Sequence, residues 1–118
     1  TVDEPFVFGE PTRLVEIPIS WSLDDHPHFE FIRTAETVSP GLSNASNVLE
    51  NWLDDFRYMT EHYEWGVLTY TCHPYVIGRG HRMIMLEKLI RGLTDLGAEF
   101  MAMEDAVDAF IARQGSGT

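Results

Sequence analysis

The scarcity of cysteine and the absence of long apolar runs exclude several classes of protein. Cys72 is the single cysteine among 118 residues, which excludes an internal disulfide, a thiolate metal cluster and the class of small disulfide-stapled secreted domains. No apolar run approaches the roughly 18 residues of a membrane span. The first five residues, Thr1-Val2-Asp3-Glu4-Pro5, have neither the positive nor the apolar region of a signal peptide. We therefore expect a cytoplasmic protein with no membrane partner.

Cations are also scarce. Eight lysine and arginine residues against 19 acidic ones give a formal net charge of −11. Binding to nucleic acid depends on clustered cations that neutralise phosphates, so we expect no nucleic acid partner. Metal ions and neutral substrates suit this charge better. The hydrophobic content of 44% predicts a folded globular chain rather than a disordered one.

The chain is short for the architecture that its pattern indicates. Strand-like stretches at 14–21, 66–72 and 98–102 alternate with amphipathic helical stretches at 46–63, 79–96 and 104–113. This alternation predicts an α/β fold of three βα units with parallel strands. A closed barrel of eight such units needs roughly 250 residues. We assign residues 1–114 to one partial domain and residues 115–118 to a tail.

Three parallel strands leave two open sheet edges. We therefore expect the sheet to continue in a segment N-terminal to this one or in another chain, and exposed edges also favour a homo-oligomer. Pro18 confines the first strand to an edge, an end or a bulge, because proline donates no ladder hydrogen bond. Helix 79–96 is predicted to bury one apolar stripe, formed by Met83, Leu86, Leu89, Ile90 and Leu93.

Titratable residues follow two of the predicted strands. His73, with Pro74 after it, ends the run 66–72, and Asp24, Asp25 and His26 follow the run 14–21. Loops after the strands of parallel sheets line the ligand crevice, so these residues are candidates for chemistry. On residue type alone, a His-Pro step is more often a turn and an Asp pair more often a solvated loop or a helix cap.

Three residues are candidate substrate contacts. Trp21, at the end of its strand, is either core or a platform for a sugar ring. Arg79 opens a helix together with Arg82, where a guanidinium can bind a carboxylate or a carbonyl, although such arginines more often pair with neighbouring acids such as Glu87. His26 lies at a loop rim, which favours surface or substrate contact over metal binding.

The motifs resemble those of one known family. Trp21-Ser22-Leu23-Asp24-Asp25-His26-Pro27, Thr71-Cys72-His73-Pro74 and Ile77-Gly78-Arg79-Gly80-His81-Arg82 are similar to the C-terminal half of the polysaccharide deacetylase family. The resemblance is strongest to its branch of allantoinase-like and cyclic-imidase-like members. It covers residues 13 to 112 and implies the C-terminal part of a deformed (β/α) barrel.

The resemblance implies a metal-dependent hydrolase that cleaves a non-peptide C–N bond. In the family a divalent metal, usually zinc, is held by an aspartate and a His-x-x-x-His pair in the N-terminal half. No two histidines here are four residues apart, so we predict that residues outside this chain bind the metal. The family's late histidine matches His73, the general acid that protonates the departing nitrogen, and its acidic partner matches Asp24 or Asp25.

Two alternatives stay open at the level of sequence. The substrate is either an N-acetylated sugar polymer or a small cyclic amide such as allantoin or an imide, and the acidic charge slightly favours small or neutral molecules. The second alternative is a catalytically silent binding or assembly module that pairs through its open sheet edge.

Overall fold

Helices account for most of the regular structure. The computed structural model describes residue 7 and residues 9–115. After a 3-10 turn at Trp21–Leu23, the elements are α1 (Asp25–Phe29), β1 (Ile32–Arg33), β2 (Val38–Ser39), α2 (Ala45–His62), α3 (Pro74–Ile77), α4 (Gly80–Asp95) and α5 (Met103–Gly115). The three long helices confirm the helical predictions to within two residues at each end. None of the described helices combines the length and apolar character that crossing a bilayer requires.

The core lies between α2 and α4. Asn44 caps α2 by accepting a hydrogen bond from the backbone N–H of Ser46 at 2.9 Å. Trp52 of α2 is 0% exposed and belongs to one buried apolar cluster with Leu89 and Leu93 of α4. Each fully buried side chain of this size stabilises the fold by about 1.5–3 kcal/mol, so this helix pair supports the rest of the structure.

The buried face of α4 differs from the predicted stripe. Leu89 and Leu93 are buried as predicted, but Met83 and Ile90 are exposed, and Met85 is buried. The buried residues of α4 are spaced by three and four positions, which is one helical face: Arg82, Met85, Leu89 and Leu93. The stripe was predicted wrongly because a charged residue occupies this face, where apolar periodicity does not reveal it.

The predicted strands do not form ladders in the described part of the chain. The stretches 14–20, 66–70 and 98–102 carry neither helix nor strand. One isolated parallel bridge joins Asp24 to Thr71, with hydrogen bonds from Asp25 N to Thr71 O at 3.0 Å and from Thr71 N to Leu23 O at 2.9 Å. Two of the three runs therefore lie side by side and parallel, but ladders need further neighbouring strands, and the described residues supply none.

Residues 32–39 form a hairpin that the sequence pattern did not predict. β1 pairs antiparallel with β2, with Ile32 opposite Ser39 and Arg33 opposite Val38. The segment then returns to α1 through a turn in which Gly41 has a φ of +47°, a conformation that favours glycine. Hydrogen bonds from the backbone N–H of residues 42 and 43 to the carbonyls of residues 29 and 28 fix this return.

The ends of the chain differ slightly from the predicted domain bounds. Gly115, assigned to the tail, is the last residue of α5. Residues 116–118 of the predicted tail, and residues 1–6 and 8 of the predicted domain, lie outside the described residues. Trp65, which the sequence favours as core, is 36% exposed and stacks on Phe110 of α5.

Candidate active site

His73 and Asp25 form a hydrogen-bonded pair across 48 residues of sequence. The Nδ1 atom of His73 lies 2.7 Å from Oδ1 of Asp25, and the backbone N–H of His73 donates to Oδ2 at 2.9 Å. The Asp25 side chain is 0% exposed, whereas that of His73 is 37% exposed. An ionised carboxylate only accepts hydrogen bonds, so Nδ1 carries the proton and Nε2 is the nitrogen left for a substrate.

The side chain of Asp24 has a different role from that of Asp25. Its Oδ1 accepts the backbone N–H of His26 at 2.8 Å and so caps α1. The same oxygen lies 3.8 Å from Nδ1 of His73, which is beyond hydrogen-bond range. The sequence left the partner of His73 open between the two acids, and the geometry selects Asp25.

Local structure explains why the pair meets. Asp25 is the first residue of α1 and His73 is the N-cap of α3, with Pro74 at the first helical position. Proline suits that position because its missing N–H has no acceptor there. The parallel bridge between Asp24 and Thr71 brings both helix starts to the same edge, at the carboxyl ends of two parallel runs. The two loops therefore meet at this edge.

The carboxylates shift the proton affinity of their neighbours. The pKa of His73 is raised above its usual value, chiefly by the hydrogen bond to Asp25 and further by the charges of Asp25 and Asp24, while burial opposes the rise. Burial, together with the charges of Asp25 and Asp24, raises the pKa of the Cys72 thiol to about 11. The site therefore favours the protonated form of both residues.

The three predicted substrate contacts have different surroundings. The ring of His26 lies 5.8 Å from that of His73, so it belongs to the site. The indole of Trp21 is 79% exposed, which makes it a surface side chain rather than core. Arg79 is the exposed N-cap of α4. Within the described chain, neither Trp21 nor Arg79 has a hydrogen bond, ion pair or ring contact with the His73–Asp25 pair.

Sequence reasoning missed one residue of the site and misassigned another. The ring of Tyr75 lies 5.8 Å from that of His73 and is exposed beside it. Its position directly after the His73-Pro74 step was the available signal. Arg82, expected to pair with Glu87, lies instead 3.8 Å from Glu30 and is buried. The helical spacing suggested a local partner, whereas the observed one comes from the chain after α1.

The residues present do not fit a resident metal ion. Asp24, Asp25 and His73 each offer one ligand atom, and these atoms lie within 4.8 Å of one another. Ligands at about 2.05 Å from a tetrahedral zinc lie about 3.3 Å apart. Nδ1 of His73 and Oδ1 of Asp25 are only 2.7 Å apart and share a proton, and Oδ2 is occupied by a backbone N–H. The arrangement is that of a hydrogen-bonded histidine–aspartate pair.

A cavity of about 630 Å³ lies apart from the His73–Asp25 pair. It is bounded by the core helices and by the stretches 64–70 and 97–103, and Cys72 lines it, whereas Asp25 and His73 do not. Its walls include the apolar side chains Phe56, Met59, Leu86, Leu89 and Ile90. The cavity is therefore distinct from the candidate site and continues the apolar surface of the unpaired runs.

Comparisons with known proteins agree with the resemblance. The chain is 31% identical over 93% of its length to a peptidoglycan deacetylase of Helicobacter pylori, of which it covers 38%. It is 27% identical over 86% of its length to a peptidoglycan deacetylase-like protein of Gibberella zeae, of which it covers 33%. The chain thus spans little more than a third of the length of these relatives.

Two further comparisons give no match. No protein-family model matches the chain, and no solved structure matches it. Kinship therefore rests on the similarity to the two curated proteins, which extends over nearly the whole chain. That similarity supports a relation of this chain to the polysaccharide deacetylase family.

Proposed function

We propose that this chain forms the C-terminal part of a hydrolase that removes the acetyl group from an N-acetylated sugar. The observation that carries the proposal is the His73–Asp25 pair, a half-exposed imidazole held by a fully buried carboxylate. The names of the two relatives favour a sugar polymer over a cyclic amide, and so favour a substrate unlike those of the allantoinase-like branch.

In the proposed reaction His73 is the general acid. Amide nitrogen is a poor leaving group until it is protonated, so C–N cleavage needs a proton donor beside it. Water adds to the acetyl carbon and gives one proton to a base outside this chain. The imidazolium of His73 then gives its Nε2 proton to the nitrogen, the C–N electron pair leaves with that nitrogen, and an amine and acetic acid, which ionises to acetate, are released. Asp25 holds the ring orientation through Nδ1 and stabilises the charged form before transfer.

The nucleophile comes from outside this chain in our proposal. Residues of the remaining barrel would hold a divalent ion, with zinc as the first candidate, and such an ion would supply the activation of the attacking water. This assignment agrees with the poor fit of Asp24, Asp25 and His73 to a tetrahedral ion. The chain's own contribution is the proton, its positioning and part of the substrate contact.

Substrate contact is assigned to three side chains around this pair. His26 lies beside the imidazole at a ring distance of 5.8 Å. Trp21 presents an exposed indole on the turn that leads into Asp24, and a planar indole suits the apolar face of a sugar ring. Arg79 presents an exposed guanidinium at the start of α4, which suits carbonyl or carboxylate groups of the substrate.

The remaining barrel is the proposed partner of the apolar face. The runs 14–19, 65–70 and 98–102 carry exposed apolar side chains, among them Leu14, Ile19, Val67, Phe100 and Met101. These runs form no ladders within the described residues, and the relatives are more than twice as long as the chain. We propose that strands of that barrel, rather than nucleic acid or a membrane, cover the face, that the assembled protein is a homo-oligomer and that it is cytoplasmic.

The test of the function is His73→Ala in an active protein that carries this chain. We expect kcat for release of acetate from an N-acetylated sugar to fall by about 10²–10⁴ with metal content unchanged. His62→Ala is the matched control, because His62 lies on the exposed side of α2 against Tyr58. Unaltered turnover in His73→Ala would remove His73 from the mechanism.

A further inference from the structure

Arg82 is a buried cation without a full set of partners. It is 6% exposed and lies in the first turn of α4. Its Nη1 donates to the carbonyl of Val76 at 2.8 Å and its Nη2 to the carbonyl of Phe29 at 3.2 Å. The guanidinium also lies over the Phe29 ring, 4.7 Å from its centroid, while Nε has no hydrogen-bond partner among the described residues.

The position of Arg82 in the first turn does not stabilise α4 itself. A positive charge in the first turn opposes the helix dipole. Burial of a guanidinium is costly unless it is paired, and the nearest carboxylate oxygen, on Glu30, is 3.8 Å from Nη1. The contacts that offset the cost of burying Arg82 lie outside α4, because both accepting carbonyls belong to other helices.

Those two helices are the ones that carry the candidate site. Phe29 is the last residue of α1, which begins with Asp25, and Val76 is the third residue of α3, for which His73 is the N-cap. Helices of five and four residues are not stable by themselves. Their last carbonyls have no partner within the helix and favour a nearby cation, although the carbonyl of Phe29 also accepts the backbone N–H of Leu42 at 3.1 Å. One planar guanidinium satisfies a carbonyl of each and so fixes the spacing between them.

We propose that Arg82 is a positioning residue for the His73–Asp25 pair. It acts by joining α1 to α3 behind the site, so that the carboxylate of Asp25 stays within hydrogen-bond distance of the imidazole. The inference rests on the proposed function for its catalytic meaning. The geometry that it concerns is nevertheless measurable in the chain without any substrate.

The experiment is an NMR titration of the His73 imidazole in wild type, Arg82→Met, Arg82→Lys and Asp25→Asn. The groups that face this ring are Asp24 and Asp25 from the α1 start, His26 of α1 and Tyr75 of α3. Loss of positioning lowers the pKa of His73 towards its value in Asp25→Asn. Loss of a cation alone has the opposite sign, because removing a positive charge raises the pKa of a histidine.

We expect the His73 pKa to fall in Arg82→Met and also in Arg82→Lys. Lysine keeps the charge but presents a single ammonium group in place of the planar fork that bonds two carbonyls at once. Arg91→Met, which removes an exposed arginine of the same helix, should leave the pKa unchanged.

Three outcomes would overturn the proposal. The first is a His73 pKa in folded Arg82→Met that equals or exceeds that of wild type. The second is an unchanged pKa in Arg82→Lys, since charge alone would then suffice. The third is a chain that is unfolded by circular dichroism in both Arg82 variants, since Arg82 would then support the whole fold. None of these measurements uses turnover, so failure of the proposed enzyme activity would not alter their results.

Discussion

Two regions of this molecule differ in how their backbone and side-chain groups find hydrogen-bond and packing partners. The site region, comprising residues 23–30 and 71–78 together with Arg82, joins distant parts of the sequence through hydrogen bonds between specific partners. The open face, comprising residues 14–19, 65–70 and 98–102, presents apolar side chains on runs that form no ladder within the described residues. The difference shows that the chain fixes the geometry of the His73–Asp25 pair by itself, whereas its apolar runs have no ladder partner among the described residues.

Substitutions of Trp52 and Trp65 should give the largest difference in unfolding free energy between the two regions. Trp52 is fully buried and its indole N–H donates to the carbonyl of Ser22 at 2.7 Å, directly before the site. We expect Trp52→Ala to lower the free energy of unfolding by about 3–5 kcal/mol. Trp65→Ala on the open face should cost less than half as much. Urea unfolding followed by circular dichroism measures both, and equal losses would contradict the division into two regions.

The pH dependence of the His73–Asp25 pair is the next effect in size. Because the folded-state pKa of His73 is raised, its contribution to stability is fully present below the ordinary value of about 6.5 and is lost as pH rises through the raised value. Asp25→Asn should remove this dependence and shift the alkaline limb of the rate profile to lower pH.

Asp24→Asn is the matched comparison for that prediction. Its carboxylate lies 3.8 Å from Nδ1 of His73, against 2.7 Å for Asp25, so it should shift both profiles less. The measurements are unfolding free energies and kcat/KM across the pH range. Equal effects of the two substitutions would show that overall negative charge, rather than the Asp25 hydrogen bond, tunes the histidine.

Hydrogen exchange separates the regions residue by residue. The amides of Asp25, Thr71 and His73 are hydrogen-bonded to acceptors within the chain, and we expect them to exchange slowly. The amides of residues 67–70 should exchange quickly in the chain alone and become protected when the proposed barrel partner is added. Slow exchange at 67–70 without a partner would show that the open face is already closed.

The smallest expected effect is that of Val67→Asn on the chain alone. Val67 is exposed on the open face, so the free energy of unfolding should change by about 0.5 kcal/mol or less. Association with the remaining barrel, measured by co-purification of the two parts, should be lost. Unimpaired association would remove residues 65–70 from the proposed interface.

Helical periodicity and the positions after predicted strands were reliable guides here. The bounds of α2 followed from local residue preferences, which do not depend on distant contacts. The meeting of Asp25 and His73 followed from the rule that loops after parallel strands share one edge. Both predictions rest on chemistry that is present in the chain itself.

The remaining errors have long-range causes. The pattern at 66–72 predicts a strand, but the structure has only an isolated bridge at Thr71, because a ladder forms only where a neighbouring strand is present. Arg82 was expected to pair locally, whereas its acceptors lie 6 and 53 residues away. The choice between Asp24 and Asp25 depended on helix capping by Asp24, which turns that side chain towards His26 rather than His73.

The raised pKa of Cys72 has a consequence for the reactivity of the chain. A cysteine next to a histidine often becomes a thiolate nucleophile, but here burial and two carboxylates keep the proton on sulfur with a pKa of about 11. Alkylating reagents and peroxides react with the thiolate, so Cys72 is a slow target for both at neutral pH. Cys72, the residue before the proposed general acid, is thus unreactive at neutral pH. Exposure to oxidants should therefore leave the function of the neighbouring His73 imidazole intact.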